Sequence, residues 1–130
     1  VVIGSRYVKG GKTNDSKVSI IMSHILNFVF RIITGIKAKD ISTDFRMYDT
    51  KQLKAVKLTC QNYDILQEVL LKMKINNRKL VVKETPIVFE KRLYGESKRQ
   101  LFKFILGYVK TLFMLIGVRI NASFNKNRQK

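Results

Sequence analysis

The sequence predicts an α/β fold in which short strand-like runs alternate with helical ones. Three observations carry that expectation. Val1–Tyr7 and the stretch "KLVVKETPIVFEKR" read as strands, the latter as two runs around Pro86. Val18–Thr34 and Lys98–Val118 are apolar around most of a helical circumference, each with a thin polar stripe. Polar segments containing Gly, Asn and Asp separate these runs. At 130 residues the chain is one domain or part of one, large enough to bury a core.

Taken in order, the opening strand is followed by the loop "VKGGKTNDSK". In the helix Val18–Thr34 the polar residues Ser19, Ser23, Asn27 and Arg31 recur every fourth position, and the rest is nearly all apolar. Such a helix is either deeply packed or set against lipid. Gly35 is placed to end it. "KAKDISTDFRMYDT" is a polar loop with a short strand-like end, and Thr50–Val56 suits one or two helical turns. Asp64 is positioned to cap a helix running to about Ile75, with Gln67 at the capping-box position and Asn76-Asn77 as the stop. Its core face is Ile65, Leu66, Val69, Leu70 and Met73. Pro86 places its strand at an edge or a bend. In the last helix, Lys103, Gly107, Lys110 and Thr111 form the polar stripe. The lysines break the apolar run below a bilayer-spanning length, which favours a helix lying in the head-group plane. The tail "RINASFNKNRQK" is expected to be frayed.

Charge narrows the class of partner. With 26 basic against 9 acidic residues the net charge is +17, a field that favours polyanions: nucleic acid, anionic lipid or phosphorylated substrates. The aromatic residues Phe28, Phe30, Phe102, Phe104 and Phe113 lie inside apolar runs rather than among Lys and Arg, which argues against nucleic acid. One cysteine, Cys60, and one histidine, His24, supply neither a zinc site nor an internal disulfide, and suit the reducing side of a membrane. The chain opens "VVIGSRYV" in mid-strand, without initiator Met or charged leader, as expected of a piece of a longer protein.

Three segments invite a chemical assignment. In "GSRY", Gly4 allows a ligand close to the backbone and Arg6 can grip phosphate bidentately, although a strand-end Arg is often merely solvated. "DISTDFRMY" packs Asp40, Asp44, two hydroxyls, Arg46 and two aromatics into one loop. Its carboxylates can accept from sugar hydroxyls, with Arg46 holding them or facing a phosphate; a loop whose Asp–Arg pairs serve only the fold is the alternative. In "RLYGESK", Arg92 and Lys98 bring charge, Gly95 a tight turn, and Ser97 a donor at a helix start, where anions bind readily.

These segments, with "VVIGSRYVKGG", "DISTDFRMYDTKQL", "YDILQEVLLKM" and "VKETPIVFEKRLYGESK" in register over roughly residues 1 to 110, resemble the C-terminal half of family 2 glycosyltransferases. Within them they look like the polyprenyl-phosphate sugar transferases of the dolichyl-phosphate mannosyltransferase type. The resemblance implies the C-terminal part of a GT-A α/β sandwich with two amphipathic interface helices. On that basis residues 1–97 are the acceptor-side half of the catalytic domain, 98–118 an interface helix and 119–130 a basic flexible tail. It implies inverting transfer of a hexose from a nucleotide sugar to a polyprenyl phosphate, peripherally on the cytoplasmic face of a membrane. The divalent metal, Mg or Mn, and most of the donor site are expected in an N-terminal half, and none of the metal ligands in this chain.

By the same resemblance Asp40, Asp44, Arg46 and Glu68 fall near the catalytic centre, and Arg6, Ser23, Arg92, Ser97 and Lys98 on substrate phosphate. One position departs: relatives carry a base four before the serine matching Ser23, where this chain has Ser19. A phosphate acceptor needs no general base, because its second pKa is about 6. A glycan or lipid hydroxyl, as in cell-envelope polysaccharide synthesis, needs a carboxylate such as Asp44, Asp64 or Glu68. Asp64 is equally a helix cap, and Glu68 is placed to pair with Arg46 or Arg92. A basic membrane-binding module without chemistry is the third reading.

Overall fold

The computed structural model describes residues 1–60, 65–90 and 101–127, except the side chains of 101–108, 123 and 125–127. Asp64 and the "RLYGESK" loop, with Arg92, Ser97 and Lys98, lie outside the described residues. The observed order is β1 (Val2–Ser5), β2 (Lys12–Thr13), α1 (Lys17–Thr34), β3 (Arg46–Met47), α2 (Thr50–Lys54), α3 (Ile65–Asn76), β4 (Lys83–Pro86), β5 (Val88–Phe89) and α4 (Leu101–Asn127). This is the mixed α/β arrangement that the alternating pattern predicts.

β1 is the middle of a three-stranded sheet, antiparallel to β3 and parallel to β4. Pro86 ends β4 opposite Ser5, where its missing N–H costs no ladder bond. Ile87 then donates to the Ser5 carbonyl and accepts from Lys12, so the chain passes from one sheet to the small parallel pair of β2 and β5.

Local chemistry sets the helix ends. Ser16 caps α1 by accepting from the Ser19 N–H at 3.2 Å, and Gly35 closes it in the left-handed region at φ 68. Asp49 caps α2 by accepting from the Gln52 N–H at 2.8 Å. The expected capping box lies with Asp64 outside the described residues; Gln67 itself is buried, and its amide reaches across to the Ile41 carbonyl at 3.4 Å. α3 is enclosed beyond its expected face, with Gln67, Glu68 and Leu71 buried beside Val69, Leu70 and Met73, because α1, α2 and α4 all pack on it. α4 runs on to Asn127, past the expected end at Val118, so much of the expected frayed tail is helical.

The core joins Ile3 of β1, Phe30 and Ile33 of α1, Ile36, Ala38 and Ile41 of the following loop, Leu70 and Leu71 of α3, and Leu115 of α4. The Arg119 guanidinium donates to the carbonyls of Ile32 and Ile33, satisfying the C-terminal turn of α1 from α4. The two long helices are nonetheless open on one side. Val18, Ile21, Ile25, Phe28 and Ile32 recur at helical spacing along α1, each between 52% and 62% exposed. Val109, Phe113, Ile116, Ile120 and Phe124 recur likewise along α4, each between 40% and 72% exposed. Both stripes are continuous apolar surface of the kind that marks an interaction face.

Glycines shape the end of β1. A Cβ on Gly4 would meet the Phe45 ring at 2.6 Å and Ile87 at 2.8 Å, so the space it frees is filled by strand neighbours rather than by a ligand. A Cβ on Gly11 would lie 2.5 Å from the Ser5 carbonyl oxygen and 2.7 Å from that of Arg6. The loop therefore folds directly over the backbone that carries Arg6. Gly11→Ala is expected to cost about 2 kcal/mol or more of stability, because the clash is with backbone; a lower urea midpoint at unchanged slope checks this.

Candidate functional site

Where β1 ends, Arg6 turns inward; its side chain is only 10% exposed, and it faces the fully buried Asp40. The pairing is side-on. Nε donates to Asp40 Oδ2 at 2.7 Å and Nη2 to Oδ1 at 2.9 Å, while the Arg6 backbone N–H adds a bond to Oδ2 at 3.1 Å. Ser42 donates to Oδ1 at 3.0 Å, and the Asn27 amide approaches the same oxygen at 3.4 Å. Arg6 Nη2 also donates to Ser23 Oγ at 3.0 Å and Ser42 Oγ at 2.8 Å. From β4, Glu84 accepts from the backbone N–H groups of Lys39 and Asp40, fixing the carboxylate's own backbone.

Burial alone would raise the Asp40 carboxyl, but the Arg6 hydrogen bonds and charge, with Ser42 adding, hold it below the usual carboxylate range. Burial works equally against the Arg6 cation, and Asp40 overcomes it, raising Arg6 further above its ordinary value. The pair is thus fully ionised at neutral pH. The Tyr7 and Phe89 rings lie against the guanidinium, 5.0 and 5.6 Å from Cζ. The Tyr7 hydroxyl and Asn27 Oδ1 are buried without a partner among the described residues. Among the described residues Nη1 is the one edge of Arg6 left open, with only Asp15 near it, at 3.9 Å.

So the structure brings together three of the predicted residues, Arg6, Ser23 and Asp40. Ser42, Asn27 and Glu84 belong to the same cluster and were not singled out as site residues. Asn27 had a signal, lying one turn beyond Ser23 on the α1 stripe; Ser42 lies two after Asp40. Ser19 does not join them, and bonds Ser16 instead at 3.0 Å.

Arg46 and Glu68 are elsewhere. Arg46 holds neither Asp40 nor Asp44: it donates to the carbonyls of Ile41, Thr43 and Leu66 and to the Tyr48 hydroxyl. Its fork ties the main-chain oxygens of Ile41 and Thr43 in the loop to that of Leu66 in α3. Asp44 is exposed and outside the cluster's hydrogen bonds. Glu68 pairs with Lys72 one turn on, at 2.6 Å, rather than with Arg46. Its carboxylate also accepts from the Thr59 N–H and hydroxyl and the Cys60 N–H, tying the 57–60 segment to α3. Among the described residues no three His, Cys, Asp or Glu converge on a metal position. These residues do not fit a metal site.

The class defined by these features is a small α/β unit with a buried, pre-oriented arginine at the foot of an apolar helix. In sequence, the chain is 32% identical over 124 residues to the dolichol-phosphate mannosyltransferase of Pyrococcus furiosus. The match covers 89% of this chain and 32% of that protein, so the chain spans about a third of that relative's length. No family model and no solved structure matches.

Glu68 yields a pH prediction. Burial pushes its carboxyl up, but Lys72, Thr59 and the Cys60 N–H outweigh it and lower the pKa from 4.5 to about 2. A depressed carboxyl stabilises the fold above its unfolded value, and that stability is lost as pH falls from about 4.5 toward 2. Glu68→Gln is expected to be less stable by about 3 kcal/mol at pH 7, with the gap shrinking below pH 4.5. Urea unfolding across that range checks it; a gap that does not depend on pH would contradict the assignment.

Proposed function

We propose that the chain is the acceptor-side part of an inverting transferase of the family 2, GT-A type. It moves a hexose from a nucleotide-activated sugar to a polyprenyl phosphate at the cytoplasmic surface of a membrane. The observation that carries this is the placement of Arg6. A buried guanidinium, held in orientation by Asp40, Ser23 and Ser42, keeps one edge open at the foot of α1, whose outer face is apolar. A phosphate on a long hydrocarbon chain needs these two things side by side. The similarity to a dolichol-phosphate mannosyltransferase supports the same substrate class.

In the proposed reaction a phosphate oxygen of the acceptor attacks the anomeric carbon. The bond from that carbon to the nucleotide diphosphate breaks, and the configuration inverts. The acceptor is already an anion, so no residue must take a proton. Arg6 aligns the attacking phosphate and offsets its charge. Arg92, Ser97 and Lys98 are assigned to phosphate on the strength of the resemblance. The divalent metal and the nucleotide site are assigned to sequence outside this chain.

The test is a transfer assay on the full-length polypeptide with a panel of nucleotide sugars, polyprenyl phosphate and Mg or Mn. Labelled sugar is expected in the lipid phase. Transfer to a glycan or lipid hydroxyl, with none to polyprenyl phosphate, would overturn the assignment and return Asp44 to the role of base.

The apolar stripes of α1 and α4 are assigned to the bilayer surface. α1 is long and apolar enough to cross a membrane, yet its Ser23 and Asn27 are committed to the Arg6 cluster and its inner face to the core. A helix so packed on one side lies flat rather than across. Phe28→Glu combined with Phe113→Glu alters only exposed positions. Pelleting with anionic liposomes is expected to fall at least tenfold, each buried ring contributing about 1.5–3 kcal/mol; unchanged pelleting would contradict the docking role.

A further inference from the structure

We propose that Asp15 occupies the phosphate edge of Arg6 in the free protein and sets how tightly phosphate is held. The inference rests on the assignment of Arg6 to a phosphate. A guanidinium offers N–H donors in a fixed plane. Those on Nε and Nη2 are taken by Asp40, Ser23 and Ser42. Aromatic rings lie over the group itself. Nη1 remains, and no acceptor lies within hydrogen-bond reach of it among the described residues.

The anion nearest that edge is Asp15 Oδ2 at 3.9 Å, an ion-pair distance too long for a hydrogen bond. Asp15 stands in the loop between β2 and α1, next to the cap residue Ser16, and its side chain is 32% exposed. Its backbone N–H donates to Thr13 Oγ1 at 3.3 Å, and Asn14 is tied to Glu90 at 2.6 Å, so the loop holds the carboxylate at its post. Asp15 neutralises the open edge without consuming its donors.

A phosphate oxygen approaching Nη1 must take the place of that carboxylate. The two anions exclude each other, so Asp15 weakens every anion at this edge by one common factor. The factor applies to the monoester acceptor, to the diester product and to free phosphate alike. It lowers ground-state affinity without touching the attack itself, and it speeds the departure of the charged product. A half-exposed ion pair of this kind corresponds to roughly a fivefold change in affinity.

Calorimetric titration of the full-length polypeptide with geranyl phosphate, inorganic phosphate and geraniol tests this. Asp15→Asn is expected to bind both phosphates roughly fivefold more tightly, with geraniol unchanged, and Asp15→Glu to bind like the parent. Tightening with geranyl phosphate alone would overturn the common factor, because the carboxylate would then act only on a lipid-borne anion. A loop that merely lost support would bind all three ligands more weakly. Should Asp15→Asn misfold by circular dichroism, Asp15→Ser replaces it. If neither Asp15 variant tightens phosphate while Arg6→Lys loosens it, the Asp15 inference fails and the assignment of Arg6 stands. If Arg6→Lys leaves phosphate binding unaltered, the assignment of Arg6 fails and takes the inference with it.

Discussion

The ion pair between Arg6 and Asp40 is the contact on which the rest of the arrangement depends. A buried pair adds little net stability, because desolvation cancels most of the attraction, yet losing either partner strands a charge. Its value here is geometric. It joins the end of β1, the middle of α1 through Ser23 and Asn27, and the loop after α1 through Asp40 and Ser42. Glu84 extends the tie to β4 by fixing the backbone of Asp40. Three stretches of chain thus converge on the ion pair, with β4 behind them, and the orientation of the guanidinium is fixed by the fold.

That pair also explains the polarity of α1. In a helix on the outside of a water-soluble domain, the polar stripe faces solvent and the apolar residues face the core. Here the stripe is partly turned in: Ser23 serves Arg6, and Asn27 is 1% exposed beside Asp40. The apolar residues left over, from Val18 to Ile32, are then forced outward on the far side. The exposed surface of α1 follows from the cluster beneath it, so the Arg6 cluster and the apolar face are two aspects of one packing decision.

Much of this was legible in the sequence, for identifiable reasons. The end of α1 announces itself through Gly35, whereas its cap Ser16 is hidden among the polar residues of the preceding loop. Arg6 and Asp40 stood out because charged groups flank apolar runs, and Ser23 through its place on the polar stripe of α1 and the family resemblance. Arg46 was misread because its partners are main-chain oxygens, which leave no trace in the identity of neighbouring residues. Glu68 was assigned to a distant arginine although Lys72 lay one turn away, the commonest helical pairing. Gly4 seemed to invite a ligand because only the fold reveals that Phe45 and Ile87 fill the gap. α4 ran past its expected end because the segment after Gly117 holds no glycine or proline to stop it.

The pairing of β1 carries a consequence for biogenesis. The backbone of Val1 is bonded to Val81, 80 positions on, and Arg119 reaches back to close the last turn of α1. A ribosome therefore releases β1 and α1 long before the strands and helices that enclose them exist. During that interval α1 lacks the core that α3 and α4 later bring to it, and its apolar residues stay uncovered. Contacts so distant in sequence form slowly, and a nascent segment like this is exposed to aggregation while it waits.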